Sequence, residues 1–188
     1  PDLQTIFLHL VSDFKEAALL HLLKKCYLKN TSGGCQSLAL IFVSTKHHVE
    51  YLYELLTLSG FSCAHIHGSM DQSARKIAMA MFKSKRHPIL VTTDLAARGL
   101  DIPFLDFVFN YDFPSSSELF LHRVGRVARA GKTGFAYSLL TTDELPYFID
   151  LQRFSASQLE FTIGKFPQQI LDEEHESVVR LLHTNGSA

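Results

Sequence analysis

The sequence predicts an α/β fold, in which helices cover both faces of a parallel β-sheet. Short apolar runs alternate along the chain with stretches whose apolar residues recur at helical spacing. The run over residues 38–44 is almost continuously apolar, which is typical of a strand buried on both faces. A chain of 188 residues, 46% of them hydrophobic, is long enough to form a core of this kind.

The same pattern predicts the individual elements in order. We place strands over residues 4–11, 38–44, 61–67, 88–92, 107–111 and 134–140. We place helices over residues 13–28, 45–58, 71–83, 115–124 and 143–154. Ser115 and Glu118 have the spacing of a capping box, which predicts where the fourth helix begins. We expect a group of phenylalanines to lie in the core, namely Phe104, Phe107, Phe109, Phe113 and Phe120.

The chain is predicted to divide at residue 154. Residues 1–154 carry the alternating pattern and form one domain. Residues 155–188 differ from it, because Pro167 interrupts the pattern and acidic side chains follow. We expect this C-terminal extension to contain one helix, over residues 168–183, and to be partly flexible.

Composition indicates an intracellular protein that does not enter membranes. The longest apolar runs are too short to cross a bilayer, and the first residues show no secretory signal pattern. Three cysteines without C-x-x-C spacing favour reduced thiols. His65 and His67 share a strand face, but no cluster of cysteines or carboxylates completes a metal site. The net charge of −1 means that binding to nucleic acid would depend on a local basic strip.

Residues 122–131 concentrate positive charge, with three arginines and one histidine among small residues. The guanidinium group is a planar fork of donors that fits phosphate oxygens and stays charged. If the helix continues, His122, Arg126 and Arg129 share one face, whereas if Gly125 ends it they line a loop. The alternative to a phosphate site is a solvated basic helix end, which the helix dipole also favours.

A second polar segment, residues 93–101, directly follows a predicted strand. Ligands of parallel α/β sheets bind outside the carboxyl ends of the strands, and residues 122–131 could return to the same edge. The two segments together predict a site for nucleotide phosphates and for a nucleic-acid backbone. Gly131-Lys132-Thr133 imitates the end of a P-loop, but the glycine spacing is wrong and a strand follows, so we predict no P-loop there.

Four segments, in the expected order, resemble motifs of the DEAD-box RNA helicases. Residues 41–46 resemble motif IV, 67–75 the H-G-x-x-x-Q-x-x-R segment, 93–101 motif V and 122–131 motif VI. The resemblance covers roughly residues 1–154 and implies the second RecA-like domain of such an enzyme. Motif VI usually has Thr-Gly between its last two arginines, where this chain has Val127-Ala128, so the arginine spacing is kept.

The resemblance implies that residues of the last two motifs bind ATP. Arg126 and Arg129 would be arginine fingers, which stabilise the charge on the γ-phosphate during hydrolysis. Asp101 would bind the ribose, because a carboxylate only accepts hydrogen bonds and so suits sugar hydroxyls. Gly99 would lie beside the same nucleotide.

The resemblance also implies contacts with the phosphates and sugars of RNA. The residues that would lie along them are Gly68, Gln72, Arg75, Thr93, Arg98 and Gly99. A glycine at residue 68 would let backbone amides approach a phosphate. Because contacts to the backbone carry no base identity, we expect binding that is independent of base sequence.

Neither G-x-x-x-x-G-K-[ST] nor Asp-Glu-Ala-Asp occurs in the sequence. We therefore expect ATP and Mg²⁺ to be held mainly by an N-terminal RecA-like domain of the same protein, to which His122 and Arg123 would couple this one. The full-length protein would be an ATP-dependent RNA helicase, and the chain alone would be inactive. The alternatives are a non-catalytic RNA- or protein-docking module with this fold, and a DNA helicase, which motif V matches less well.

Three features are similar to a nucleolar branch of the family that acts in assembly of the large ribosomal subunit. They are Val127-Ala128, Lys46-His47-His48 and the tail over residues 167–174. This similarity implies a role in ribosome biogenesis, pre-ribosomal particles as partners, and a location in the nucleus or nucleolus.

Overall fold

The structure, a computed structural model, describes residues 3–28, 37–127, 133–155, 161–164 and 166–185. Seven strands form one sheet in which all neighbours are parallel. The strands are β1 (Leu3–His9), β2 (Ala39–Phe42), β3 (Cys63–Ile66), β4 (Ile89–Thr92), β5 (Phe107–Asn110), β6 (Gly134–Leu140) and β7 (Phe161–Gly164). Their order across the sheet is β3-β4-β2-β5-β6-β1-β7, so β1 lies between two strands from the C-terminal part of the chain.

Seven α-helices of the described residues accompany the sheet. They are α1 (Lys15–Leu28), α2 (Lys46–Leu58), α3 (Gln72–Lys83), α4 (Asp94–Ala97), α5 (Ser117–Val124), α6 (Leu145–Ser155) and α7 (Gln168–Asn185). The five helices and six strands that the sequence predicts are all present, with ends that shift by a few residues. The short helix α4 was not predicted. None of the described helices has the length and apolar character that crossing a bilayer requires.

Helices cover both faces of the sheet, which confirms the predicted α/β fold. In β2, Ala39 and Ile41 belong to a core cluster on one face of the sheet. Leu40 and Phe42 belong to a second cluster on the opposite face, as alternation along a strand requires. Buried residues of α1, α2 and α7 pack with the first cluster. Buried residues of α3, α5 and α6 pack on the opposite face.

The phenylalanines predicted to lie in the core are buried with one exception. Phe107, Phe109, Phe113 and Phe120 are buried. The prediction is wrong for Phe104, which is 61% exposed because it lies in the loop between α4 and β5. The Phe120 ring stacks 5.7 Å from that of Phe7 on β1, and this contact joins α5 to the sheet.

Helix α5 begins one residue later than the predicted capping box requires. The Ser116 hydroxyl accepts a hydrogen bond from Leu119 N at 3.3 Å, so Ser116 is the N-cap. The capping box of Ser115 and Glu118 is therefore wrong. Adjacent serines offer the same chemistry, and the backbone conformation decides between them.

The described residues after 155 pack with the same sheet and with the helices that cover it. Strand β7 was not predicted; it pairs with β1, with Thr5 opposite Phe161. The predicted helix over residues 168–183 is present as α7, which packs on α1 and α2 and buries Leu171 and Val178. The division of the chain at residue 154 remains a prediction.

Candidate functional site

Polar loops after β2, β3, β4 and β5 meet at one edge of the sheet, where these parallel strands all end. An open pocket there is lined by residues from these loops and from the helices that follow. Its lining residues are Ser44, Lys46, Gly68, Ser69, Thr93, Asp94, Leu95, Arg98 and Leu119. The segment over residues 93–101 therefore lies at a sheet edge with other polar loops, as the sequence predicts.

A second pocket shares Arg98 with the first and extends along α3. It is lined by Gln72, Arg75, Lys76, Met79, Ala80, Lys83, Arg98, Gly99 and Leu100. The two pockets together contain all six residues that the resemblance relates to RNA. They also bring five cationic side chains together on a chain of net charge −1, namely Lys46, Arg75, Lys76, Lys83 and Arg98. Positive charge is thus local, which suits a polyanionic ligand at this edge.

Arg123 lies beneath the first pocket and holds α4 in position. Its side chain is buried, and its guanidinium binds both carboxylate oxygens of Asp94, with Nε–Oδ1 at 2.8 Å and Nη2–Oδ2 at 2.7 Å. Nη1 donates to Asn110 Oδ1 at 3.0 Å and to the carbonyl oxygen of Asp112 at 2.8 Å. The guanidinium also lies over the Phe42 ring, 4.7 Å from its centre. One side chain thus connects α5, α4 and the end of β5.

Other contacts fix the α4 segment at both ends. The Thr93 hydroxyl accepts from Ala96 N at 3.2 Å and so caps the helix. At the other end, Arg75 Nη2 donates to the carbonyl oxygen of Ala96 at 2.9 Å, while its buried Nε has no hydrogen-bond partner among the described residues. Gly99 follows with φ of +74°, a conformation that favours glycine. These contacts leave Gly99 exposed at the surface of the second pocket.

Asp101 and Arg126 lie within electrostatic reach of each other, beside the second pocket. The Asp101 side chain is 94% exposed and pairs with Lys83. The hydrogen bond and charge of Lys83, and then the charge of Arg126, lower the pKa of Asp101. The carbonyl oxygen of Arg126 accepts from Leu105 N at 3.1 Å, which ties the loop after α5 to the loop after α4. Asp101, predicted to contact the ribose, and Arg126, predicted to contact the γ-phosphate, are thus close together.

Helix α5 ends within residues 122–131, so the polar side chains of this segment lie in different surroundings. Gly125 is the C-cap, so Arg126 lies in a loop, which is one of the two arrangements that the sequence left open. Arg126 and His122 are exposed, whereas Arg123 directs its guanidinium inward. Arg123 therefore presents no exposed donor to another domain, and its role in coupling to one remains a prediction. Arg129 lies outside the described residues, as do Gly131 and Lys132 of the apparent P-loop.

Asp112 is a further residue of this edge that the sequence did not single out. Its Oδ2 accepts from Ser44 N at 2.7 Å and lies 3.0 Å from His48 Nδ1, and Lys15 Nζ is 3.8 Å from Oδ1. Burial opposes the charged carboxylate, but these hydrogen bonds and the Lys15 charge outweigh it and lower the pKa of Asp112. Asp112 therefore ties the loop after β2 to the end of β5.

These features define a RecA-like α/β domain with a basic edge. A family model described as "Helicase conserved C-terminal domain" matches residues 15–131. The chain belongs to this family of helicase C-terminal domains.

Known relatives extend the likeness beyond the matched segment. ATP-dependent RNA helicase DDX54 of Mus musculus is 46% identical to this chain. The alignment covers 94% of this chain and 21% of the mouse protein. The chain thus spans about a fifth of the length of that curated relative.

Two solved structures have the same fold. The E. coli DEAD-box protein SrmB, bound to regulator of ribonuclease activity A, matches with a TM-score of 0.74 and 30% identity, over 90% of this chain and 94% of that one. S. cerevisiae Dbp5 bound to RNA and ADP BeF3 matches with a TM-score of 0.74 and 26% identity, over 96% of this chain and 46% of that one. The predicted resemblance to DEAD-box proteins is confirmed.

Proposed function

We propose that this chain is the domain of an ATP-dependent RNA helicase that completes an ATP site and forms part of an RNA groove. The observation that carries the proposal is the meeting, at one basic sheet edge, of all six residues that the family resemblance relates to RNA. Family membership and the likeness to Dbp5, which was solved with RNA and ADP BeF3, support it.

The ATP part of the proposal concerns Arg126, Arg129 and Asp101. Arg126 is exposed and lies in a loop, so its guanidinium is available to a phosphate held by another domain. Asp101 is ionised and exposed beside it, which suits hydrogen bonds from a ribose. An N-terminal RecA-like domain would hold most of the ATP and the Mg²⁺, which neutralises phosphate charge when bound.

The RNA part of the proposal is also supported by side chains of the first pocket that only donate hydrogen bonds. Lys46 and Arg98 line the first pocket and match phosphate oxygens in charge and donor character. Because such contacts involve the backbone of the nucleic acid, binding would not depend on base sequence. Closure of the two domains on ATP and RNA would bring the fingers onto the γ-phosphate and separate a short duplex.

The test is RNA-stimulated ATP turnover by the full-length protein with Arg126→Ala, and separately with Arg129→Ala. Each change should lower turnover by about a thousandfold or more while RNA binding stays within about twofold. Arg153→Ala is the matched control, because Arg153 is an exposed arginine of α6, away from this edge. Turnover that survives the Arg126 change would reject the finger assignment.

The chain alone provides a second comparison. We expect no RNA-stimulated turnover from residues 1–188 and robust turnover from the full-length protein. A full-length protein that binds RNA without hydrolysing ATP would instead favour a non-catalytic docking module. Stimulation by DNA in place of RNA would favour a DNA helicase.

We also propose that the protein acts in ribosome biogenesis in the nucleolus, with pre-ribosomal particles as partners. The support is the similarity of Val127-Ala128, Lys46-His47-His48 and the tail over residues 167–174 to the nucleolar branch. The full-length protein should sediment with precursors of the large ribosomal subunit and should concentrate in nucleoli when imaged. Absence of the protein from the precursor particles and from nucleoli would reject this role and leave the helicase assignment unchanged.

A further inference from the structure

The turn after β3 carries Ser69 into the first pocket. Met70 N donates to the carbonyl oxygen of His67 at 3.2 Å and closes the turn. Gly68 and Ser69, at its tip, are exposed and line the pocket. His67 lies beneath them and is only 8% exposed. A buried imidazole therefore supports an exposed hydroxyl in the pocket.

Both ring nitrogens of His67 have polar neighbours. Nδ1 lies 3.0 Å from the Ser69 hydroxyl oxygen, and Nε2 lies 3.4 Å from Glu50 Oε1. The ring also stacks on His65, with centres 5.7 Å apart, and His65 in turn lies 4.1 Å from the ring of Tyr53. The imidazole is thus held both by its polar contacts and by packing.

The position of Glu50 favours one of the two nitrogens of a neutral His67 as the site of the proton. A carboxylate only accepts hydrogen bonds, so its oxygen near Nε2 favours the proton on that nitrogen. Nδ1 is then an acceptor, and the Ser69 hydroxyl donates its single hydrogen to it. The Ser69 oxygen therefore presents lone pairs, and no hydrogen, to the pocket.

This arrangement differs from that of the charged side chains that line the same pocket. Lys46 and Arg98 can only donate, which suits phosphate oxygens, and the carboxylate of Asp94 is occupied by Arg123. A phosphodiester has no hydrogen to donate, so it cannot bind the lone pairs of Ser69. The backbone of RNA offers one donor, the ribose 2′-hydroxyl, which DNA lacks.

We propose that Ser69 determines sugar specificity by accepting a hydrogen bond from a ribose 2′-hydroxyl. Glu50 and His67 are positioning residues, because they fix the direction of the Ser69 hydroxyl without touching the ligand. The proposal rests on the proposed function, namely that this edge binds the RNA backbone.

The test compares the affinity of the full-length protein for oligouridine and for its 2′-deoxy counterpart. Binding is measured by fluorescence anisotropy with a non-hydrolysable ATP analogue at about pH 8. Ser69→Ala should weaken RNA binding about fivefold, the effect of losing one neutral hydrogen bond, and leave binding of the deoxy strand unchanged. Ser73→Ala is the matched control, because Ser73 is exposed on α3 and lines neither pocket.

A second variant tests the positioning role separately. In Glu50→Lys, an ammonium donor faces Nε2, which favours the proton on Nδ1 and turns the Ser69 hydroxyl into a donor towards the pocket. The added charge strengthens binding of both strands, and a donating Ser69 hydroxyl can bind a phosphate oxygen of either one. The readout is therefore the ratio of the two affinities, which should fall from the wild-type value. Glu54→Lys makes the same charge change on an exposed residue of α2 and should keep the wild-type ratio.

The outcomes separate this inference from the proposed function. If the wild type prefers RNA and Ser69→Ala keeps that preference, or weakens both strands equally, the Ser69 assignment is wrong and the proposed function stands. If the wild type binds neither strand, both fail. A loss of preference in Ser69→Ala and Glu50→Lys, with both controls unchanged, supports the inference.

Discussion

Replacing Arg123 by methionine should destabilise this domain more than any change of an exposed charge. Methionine is apolar and of similar length, so it can still pack against Phe42 while removing every hydrogen bond of the guanidinium. Those bonds are two to the carboxylate of Asp94, one to Asn110 and one to the carbonyl oxygen of Asp112. The change also leaves Asp94 without its counter-ion.

The expected loss of unfolding free energy is about 3 kcal/mol. Removing one partner of a buried ion pair typically costs about 3–5 kcal/mol. The lower end applies because the Asp94 side chain is 24% exposed and water can take over part of its solvation. Small domains are stable by about 5–15 kcal/mol, so the variant should remain folded with a melting temperature lower by about 6–12 °C.

The assay is urea denaturation of the 188-residue chain, followed by circular dichroism, for Arg123→Met, Asp94→Asn and the double variant. Because the two side chains contact each other directly, the double variant should lose about 1–2 kcal/mol less than the sum of the single losses. Arg153→Met should change stability by no more than about 0.5 kcal/mol, since Arg153 is exposed. A loss below about 1 kcal/mol for Arg123→Met, or strictly additive changes, would refute this account of the contact.

Three further predictions concern the core, the pH dependence and a thiol. Phe120→Ala should cost about 3–5 kcal/mol in urea denaturation because its ring is fully buried, whereas Phe104→Ala should cost less than about 0.5 kcal/mol; similar losses would contradict the burial. The lowered pKa of Asp112 means that its contribution to stability is complete above the ordinary aspartate pKa of about 4 and is lost as pH falls through the lower folded value. Asp112→Asn should therefore make stability decline less steeply as pH falls. An unchanged pH profile would show that the ionised Asp112 does not stabilise the fold. Burial raises the pKa of the Cys63 thiol, although a hydrogen bond with Thr57 opposes this. Cys63 should react with a maleimide at pH 7 only slowly until denaturant is added, and fast labelling of the native protein would show that the thiol is accessible.

The strands and long helices could be predicted from sequence because their apolar residues follow the period of the element they form. Residues 38–44 illustrate this, since β2 is buried on both faces and so is apolar throughout. Strand β7 is as short as β2 but lacks that signal, because Thr162 and Ile163 are exposed and the strand joins the edge of the sheet by pairing with β1. Helix α4 is equally short and depends on the Thr93 cap and the contacts of Asp94 and Arg75.

The sequence predicted which residues meet at the site, but not which of their side chains point outward and which are buried. The order of the motifs identified the residues that meet at the sheet edge, yet it did not predict that Arg123 is buried while Arg126 is exposed. One signal distinguishes them: Arg123 follows Phe120 by three residues and precedes Val124, which places it on the apolar face of α5. A charged residue at such a position predicts a buried ion pair. Its partner, Asp94, is remote in sequence, so only the folded chain identifies it.

The position of β1 has a consequence for how the chain folds during synthesis. Leu3 pairs with Gly134, and Thr5 pairs with Phe161, so β1 has no neighbour in the sheet until β6 and β7 have left the ribosome. Strands β2 to β5 pair among themselves and can assemble earlier. Contacts between residues so distant in sequence form slowly, and an unpaired apolar strand is open to association with other chains meanwhile. We therefore expect β1 to be the segment of the nascent chain that most needs protection by a chaperone.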